Sequence, residues 1–219
     1  MGSEPLPLSL LADTAHASDD DVTIGGVSLR ELAATFGTPL FVYDEATLRQ
    51  RCAAAATAFD DGVAFASKSF LCGAMARLAA EEGLCIDVAT GGELDIVLRA
   101  GVSPSRVVLH GNNKLPDELE AAVRLGVHRL VVDNFDEIER LAHLVSPATP
   151  LDCLVRVTPG VEAHTHEFIR TGQEDSKFGF SISSGAARRA ITALRDIPRP
   201  DPARRARPHR FTDLRRGGL

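Results

Sequence analysis

The 219-residue sequence predicts an α/β fold in which helices cover a parallel sheet, and the pattern fits an incomplete (β/α)8 TIM barrel. Five short β-branched runs are each followed by a segment of helical periodicity, which is typical of parallel strands joined by crossover helices. The units recur about every 23 residues, and no G-x-G-x-x-G follows the first strand, so a barrel is favoured over a doubly wound sheet. A closed barrel needs eight such units, whereas the strand count here stops at five.

Three regions are predicted along the chain: a flexible lead-in over 1–21, a partial barrel over 22–190, and an arginine-rich tail over 191–219. A short helix is expected over 29–35, and the apolar run 40–43 after a Gly-Thr-Pro turn predicts a strand. The remaining helices are predicted over 45–59, 71–82, 92–100, 116–125 and 135–145. The sheet strands are predicted over 63–66, 84–89, 106–110, 128–133 and 152–158.

The composition indicates a globular chain with a net charge of -6 and 44% hydrophobic residues. No apolar run reaches the roughly 18 residues of a spanning helix, and the N-terminus lacks the pattern of a signal peptide, so we expect a cytoplasmic protein without a membrane partner. The four cysteines lack C-x-x-C spacing, which argues against a zinc site or redox pair. They are Cys52, Cys72, Cys85 and Cys153.

Polar side chains stand at the ends of all five predicted strands. They are Lys68, Asp87, the stretch His110–Lys114, Asp133, and Arg156 within the fifth strand. In a β/α barrel the chemistry gathers at the carboxyl ends of the strands. The pattern therefore predicts a functional site at this rim.

Each of these residues has a plainer interpretation as a loop-initiating or helix-capping residue, as Asp133 and Thr90 illustrate. The capping interpretation does not suit Lys68, because lysine is a poor capping residue. The chain has only three lysines against 21 arginines, so a lysine at this strand end is unusual for this sequence. A desolvated lysine amine is a nucleophile that forms Schiff bases with carbonyl compounds. The alternative is a lysine whose ammonium group simply extends into solvent from a strand end.

Several sequence words resemble, in order and spacing, the meso-diaminopimelate decarboxylases of bacterial lysine synthesis. They are "FGTPLFVYDE", "FASKSFLC", "EEGLCIDVATGGEL", "VVLHGNNK", "LVVDNFDEIERL" and "VRVTPGVEAHTHEFIRTGQEDSKFGFS", and the resemblance runs over about residues 36–187. These enzymes belong with the ornithine and arginine decarboxylases, which pair a pyridoxal-phosphate barrel of the alanine racemase-like type with a second, β-rich domain. Phe65 and Ser69 stand where the lysine motif of the family more often has tyrosine and alanine.

The resemblance implies that Lys68 is the catalytic lysine that binds pyridoxal 5'-phosphate covalently. It implies that Asp87, His110, Asn112 and Arg156 also line the cofactor pocket. The implied reaction is decarboxylation of meso-2,6-diaminopimelate to L-lysine and CO2, the last step of lysine biosynthesis. The implied partners are a small amino-acid substrate and a second copy of the chain, since the family is usually homodimeric.

The stretch that ends in "EDSKFG" offers two further candidates. His164, His166 and Glu167 have the spacing of metal ligands, but without a further ligand they do not make a convincing metal site, and we expect none. Lys177 is expected to form a structural ion pair with Glu174 or Asp175.

The arginine-rich tail departs from the family. Residues 199–219 hold seven arginines and two aspartates, a local charge of +5 that leaves -11 for the rest of the chain. When permitted codons for 204–215 are read one base later, they give Gly-Val-His-Ala-His-Ile-Gly-Ser-Gln-Ile-Phe. This contains the "HIGSQ" motif with which the sixth strand of family members ends. We therefore expect an out-of-frame, disordered tail, with the shift between about residues 190 and 202.

A truncated barrel leaves the function of the polypeptide open at this point. Neither a glycine-rich phosphate loop nor the "EPGR" word of the family occurs in the sequence, and the C-terminal β domain is missing, so we expect the chain by itself to release no CO2. The alternatives are a non-catalytic pyridoxal-phosphate-binding barrel protein and an inert fragment. The basic tail raises nucleic-acid binding as a further alternative, but it offers no aromatic platform beyond Phe211, and we expect no nucleic-acid partner.

Overall fold

The computed structural model describes residues 10–18, 20–59, 62–146, 149–160 and 178–197. The strands in this part of the chain are β1 (His16–Ala17), β2 (Val22–Ile24), β3 (Val27–Ser28), β4 (Ala64–Ala66), β5 (Cys85–Val88), β6 (Val107–Leu109), β7 (Arg129–Val132), β8 (Cys153–Val155), β9 (Val157–Thr158) and β10 (Phe180–Ser181). The α-helices are α1 (Leu29–Phe36), α2 (Glu45–Phe59), α3 (Gly73–Glu81), α4 (Gly91–Arg99), α5 (Pro116–Leu125), α6 (Phe135–Leu144) and α7 (Ala186–Asp196).

The strand order of the main sheet is β4-β5-β6-β7-β8, which is also their order along the chain. β4 pairs with β5 in parallel, and β7 pairs with β8 in parallel. An α-helix follows each of β4 to β7, as βα units require. The predicted fold class, an α/β chain of about five βα units, is therefore confirmed. The chain divides into two compact units between Val108 and Leu109, inside β6.

The first unit begins with a small antiparallel meander, β1-β2-β3, which the sequence analysis did not predict. Its core is formed where α3 and α4 pack against β5. The side chains of Ala76, Ala79, Ile86, Val88 and Val97 are fully buried there. Apolar residues recur on one face of α3 and along the whole of β5, which is the pattern that places a helix over a buried parallel strand.

The second unit is built around β7, α5 and α6. Leu119, Ala122, Leu130, Val132 and Leu141 are fully buried in it. α5 matches the predicted bounds because its ends carry strong signals: Pro116 opens the first turn, and Gly126 ends the helix with a left-handed φ of 66°.

The predicted strand over 40–43 is wrong. These residues form no strand, and Phe41 is 88% exposed. An apolar run favours extended backbone, but a strand exists only when a partner accepts its hydrogen bonds, and none of the described strands pairs with this run.

The predicted strand over 152–158 is interrupted at Arg156, which lies between β8 and β9. The Arg156 amide donates to Val132 O at 2.9 Å, while its carbonyl accepts from Phe180 N at 2.8 Å. The chain therefore passes from one neighbouring strand to another at this residue.

Helix α7 continues to Asp196 and so crosses the predicted boundary at residue 190. The rest of the predicted tail, residues 198–219, lies outside the described residues. No helix in the described part of the chain is both long and apolar enough to cross a membrane.

Candidate functional site

Lys68 lies in a tight 3₁₀ turn, Ser67–Ser69, directly after β4. The Ser69 hydroxyl donates to Ala66 O at 2.8 Å and closes this turn. Lys68 itself is exposed, so burial does not desolvate its amine in this structure, and on this point the structure agrees with the alternative of a lysine that extends into solvent. The structure therefore presents a primary amine at the carboxyl end of a parallel strand, which is where β/α folds carry their chemistry.

Ser67, the residue before Lys68, has a buried hydroxyl. The residue is 2% exposed, and its Oγ has no hydrogen-bond partner within the described residues. A buried polar group without a partner costs about 1–3 kcal/mol, so such groups commonly serve a ligand or an ordered water. Ser67 is a candidate that the residue pattern alone did not single out.

Asp87 lies on β5, the strand that pairs with β4, and its register partner there is Ala66. Three residues further on, Thr90 caps α4, since its side chain accepts from Glu93 N at 3.2 Å. The Glu93 carboxylate in turn accepts from Ala89 N at 2.6 Å. The capping interpretation is thus right for Thr90, while Asp87 lies three residues earlier, within β5.

The residues after β6 form what we call the 110–113 loop, His110–Asn113. His110, Gly111 and Asn112 are half-buried, and Gly111 has a φ of 107°, which favours glycine. The loop is attached to the start of α6, because Asn134 Nδ2 donates to Asn112 O at 3.2 Å.

Arg156 forms an ion pair with Asp133, in which Nη1 lies 2.9 Å from Oδ2. The second oxygen of Asp133 accepts from Gly179 N at 2.7 Å, and the Arg156 guanidinium lies 4.4 Å from the centre of the Phe178 ring. The Asp133 side chain is only 1% exposed. Asp133 is therefore not the cap of α6, a role that Asn134 takes instead.

The five predicted site residues fall into two groups. In the first unit, Lys68 and Asp87 stand at the ends of paired strands. In the second unit, Asn112 is bonded to Asn134, and Arg156 is bonded to the preceding residue, Asp133. His110, in the same unit, is the first residue of the 110–113 loop.

The other predicted candidates, His164, His166, Glu167 and Lys177, lie outside the described residues, as do Glu174 and Asp175. Within the described part, no group of three or more His, Cys, Asp or Glu side chains could hold a metal ion.

Two structural connections escaped the sequence analysis. One is a buried ion pair between Lys114 and Glu137, and the other is the bond from Gly179 N to Asp133. These partners lie 23 and 46 residues apart, and local sequence patterns carry no signal for such distant contacts. The only hint was that a lysine closes the "HGNNK" word before a strong helix start.

The first unit supplies the groups that condensation with a carbonyl compound requires. Lys68 offers an accessible amine as the nucleophile. Ser67, the preceding residue, carries a hydroxyl with no hydrogen-bond partner in the described part of the chain. Asp87 adds a carboxylate at the neighbouring strand end. The residues present therefore fit an aldehyde-bearing ligand attached at Lys68.

Comparison with protein families gives a match over most of the chain. The profile of the family described as "Pyridoxal-dependent decarboxylase, pyridoxal binding domain" matches residues 45–197. The diaminopimelate decarboxylase of Mycobacterium tuberculosis is 54% identical over 173 residues, which make up 78% of this chain and 39% of the relative. That of Halalkalibacterium halodurans is 52% identical over 174 residues, 77% of this chain and 40% of the relative.

Solved structures show the same likeness. The diaminopimelate decarboxylase of M. jannaschii in complex with L-lysine superposes with a TM-score of 0.72 at 29% identity, over 86% of this chain and 46% of the other. The chain thus spans about two fifths of the length of the curated relatives that it matches.

Proposed function

The chain belongs to the pyridoxal-dependent decarboxylases, and on that premise we propose that it carries the cofactor-anchoring part of a meso-diaminopimelate decarboxylase. The proposed reaction removes one carboxyl group of meso-2,6-diaminopimelate as CO2 and leaves L-lysine. The match over residues 45–197 and the relatives at 54% and 52% identity support this assignment. The words "HGNNK" and "EAHTHEFIRTGQEDSKFGF" support the diaminopimelate branch over the ornithine and arginine branches.

One observation carries the proposal: an exposed amine, Lys68, follows a strand end, and the preceding residue, Ser67, has a buried hydroxyl without a hydrogen-bond partner among the described residues. We propose that Lys68 Nζ holds pyridoxal 5'-phosphate covalently through its aldehyde. When bound, the cofactor supplies the electron sink that takes up the charge left by the departing carboxylate.

The residues of the chain supply attachment, orientation and proton transfer. The neutral form of the Lys68 amine would be the nucleophile, and its exposure leaves it accessible to an aldehyde. With the cofactor and substrate bound, the Lys68 amine would be the group that returns a proton to the substrate. The Ser67 hydroxyl can donate a hydrogen bond beside the attachment point.

The other predicted residues are proposed as cofactor-binding residues on the strength of the resemblance. Asp87 contributes a carboxylate at the end of β5. His110 and Asn112 contribute groups from the 110–113 loop. Arg156 is proposed with a restriction, since its guanidinium is already bound to Asp133 and only its remaining N–H groups are available.

The whole enzyme is proposed to act as a homodimer in the cytoplasm. All four cysteines lie in the described part of the chain and none of them forms a disulfide there, which suits a reducing compartment. Size-exclusion chromatography coupled to light scattering measures the oligomeric state.

A chimera tests the proposed reaction. Residues 22–190 replace the equivalent stretch of the M. tuberculosis enzyme, whose sequence is 54% identical in the aligned region. The chimera is expected to release CO2 from meso-diaminopimelate, and the same chimera with Lys68→Ala is expected to release none. The 219-residue chain alone, assayed in parallel, is expected to be inactive.

Two results would count against the proposed function. A chimera that folds and binds pyridoxal phosphate without releasing CO2 would favour the non-catalytic cofactor-binding alternative. A chimera whose turnover survives Lys68→Ala would show that the amine has been assigned to the wrong residue.

A further inference from the structure

The ammonium group of Lys114 is enclosed in the second unit, with no exposed side-chain surface. Its Nζ donates to Gly111 O at 2.5 Å, to Val131 O at 2.7 Å, and to both carboxylate oxygens of Glu137 at 3.1 Å. A buried ammonium is strongly unfavourable unless each of its three protons has an acceptor. Here the acceptors come from a loop, a strand and a helix.

Glu137, the partner of Lys114, is 1% exposed and lies in the first turn of α6. One of its oxygens also accepts from Asp133 N at 3.0 Å. The Glu137 amide donates to the Asn134 side chain at 2.9 Å, and Asn134 in turn donates to Asn112 O. The ion pair therefore connects the 110–113 loop to the residues that follow β7.

Lys114 is not a second attachment point for an aldehyde. All of its protons are engaged, and nothing of its side chain reaches solvent. Burial lowers the pKa of Lys114, while the charges of Glu137 and Asp133 act in the opposite direction. The enclosure by protein atoms, rather than the protonation state, keeps reagents away from Nζ.

We infer that Lys114 is a positioning residue, which fixes the backbone of the 110–113 loop through Gly111 O and thereby orients His110 and Asn112. The contact to Val131 ties the loop to β7, and the contact to Glu137 ties it to α6. The effect on cofactor affinity rests on the proposed function, because it requires His110 and Asn112 to bind pyridoxal phosphate. The effect on the loop itself does not.

The test compares a single and a double variant of the 219-residue chain. Lys114→Met alone leaves the Glu137 carboxylate buried without its counterion, so it is expected to unfold at a lower temperature. Lys114→Met combined with Glu137→Met removes both charges, and apolar replacement of a buried ion pair is often neutral, so its melting temperature should stay within about 5 °C of the unmodified chain. Glu120→Gln, an exposed change on α5, is the control.

Two readouts are measured on each protein. Hydrogen–deuterium exchange of the amides of the 110–113 loop should become about tenfold faster in the double variant, because the loop loses its anchor while the fold is retained. The Kd for pyridoxal phosphate, followed by its visible absorbance, should rise about tenfold, because a disordered loop must be ordered on binding. The control should stay within about twofold in both.

A double variant that melts like the unmodified chain and exchanges the 110–113 amides at an unchanged rate would overturn the inference. Faster exchange with an unchanged Kd would overturn the connection to the cofactor. If the unmodified chain binds no pyridoxal phosphate, the proposed function fails for this chain, and the exchange rates still decide whether Lys114 positions the loop.

Discussion

The ion pair between Arg156 and Asp133 supports a quantitative prediction about the stability of the second unit. The perturbation is a double-mutant cycle with Arg156→Met, Asp133→Asn and the combination of both. Asparagine retains a side-chain oxygen that can accept from Gly179 N, so the cycle isolates the charge interaction.

The magnitude follows from the distance and the exposure of the two groups. Opposite charges 2.9 Å apart attract by about 6 kcal/mol at an effective dielectric of about 20, and by about 1.4 kcal/mol in bulk water. Asp133 is 1% exposed, but 27% of the Arg156 side chain reaches solvent, which screens the pair. We expect a coupling energy of about 2–3 kcal/mol. Arg156→Met should be the more destabilising of the two single changes, because it leaves the buried Asp133 carboxylate without its counterion.

Urea unfolding of the four proteins, followed by far-ultraviolet circular dichroism because the chain has no tryptophan, gives the coupling energy. A coupling energy below about 0.5 kcal/mol would refute the reasoning, since that is the range of exposed surface pairs. Repeating the cycle with saturating pyridoxal phosphate tests the cofactor role of Arg156. The cofactor should then stabilise the Asp133→Asn protein more than the Arg156→Met protein.

Three further changes have defined outcomes. Gly179→Ala should destabilise the fold by about 2 kcal/mol or more in urea unfolding, because φ is +71° and the new Cβ would lie 2.8 Å from Arg156 O. Thr90→Ala should cost about 1 kcal/mol in the same assay, since it removes the cap of α4. Burial raises the pKa of the Cys52 thiol above its ordinary value of 9.0, so iodoacetamide should alkylate Cys52 more slowly than the exposed Cys72 at pH 8.

Each of these three predictions can be contradicted by a specific result or checked with a matched control. A fully stable Gly179→Ala protein would mean that the backbone near Arg156 differs from the structure. Thr90→Ser serves as the matched control, because serine keeps the oxygen that accepts from Glu93 N, and it should be nearly neutral. Equal alkylation rates for the two cysteines in the native protein would contradict the burial of Cys52.

The raised pKa of Cys52 also predicts how the stability of the folded chain changes with pH. The unfolded thiol ionises near pH 9.0 while the folded thiol keeps its proton to higher pH, so stability is complete below pH 9.0 and falls as the pH rises through the folded pKa. A Cys52→Ala protein should lose this part of the alkaline decline.

The alternation of strands and helices was predictable because its signals are local. An alanine-rich face placed α2 over Glu45–Phe59, and a proline and a glycine marked the ends of α5. The strand over 40–43 failed because extended structure depends on a partner elsewhere in the chain, which no local pattern reveals.

The candidate site was predictable in the same partial way. The position of Lys68 at a strand end could be predicted, because the end of a strand is marked by the residues immediately around it. The connections of Lys114 and Arg156 were not, since their partners Glu137 and Asp133 lie 23 residues away from them. Asp133 also shows the limit of capping rules, because the adjacent Asn134 takes the cap and leaves the aspartate for the ion pair.

The central claim is that the amine of Lys68 is the one that binds an aldehyde cofactor. The direct measurement incubates the chain with pyridoxal phosphate, reduces the mixture with borohydride, and maps the labelled peptide by mass spectrometry. We predict a label on Lys68, none on the enclosed Lys114, and loss of the label in Lys68→Ala. A label confined to another lysine, or no label at saturating cofactor, would contradict the account.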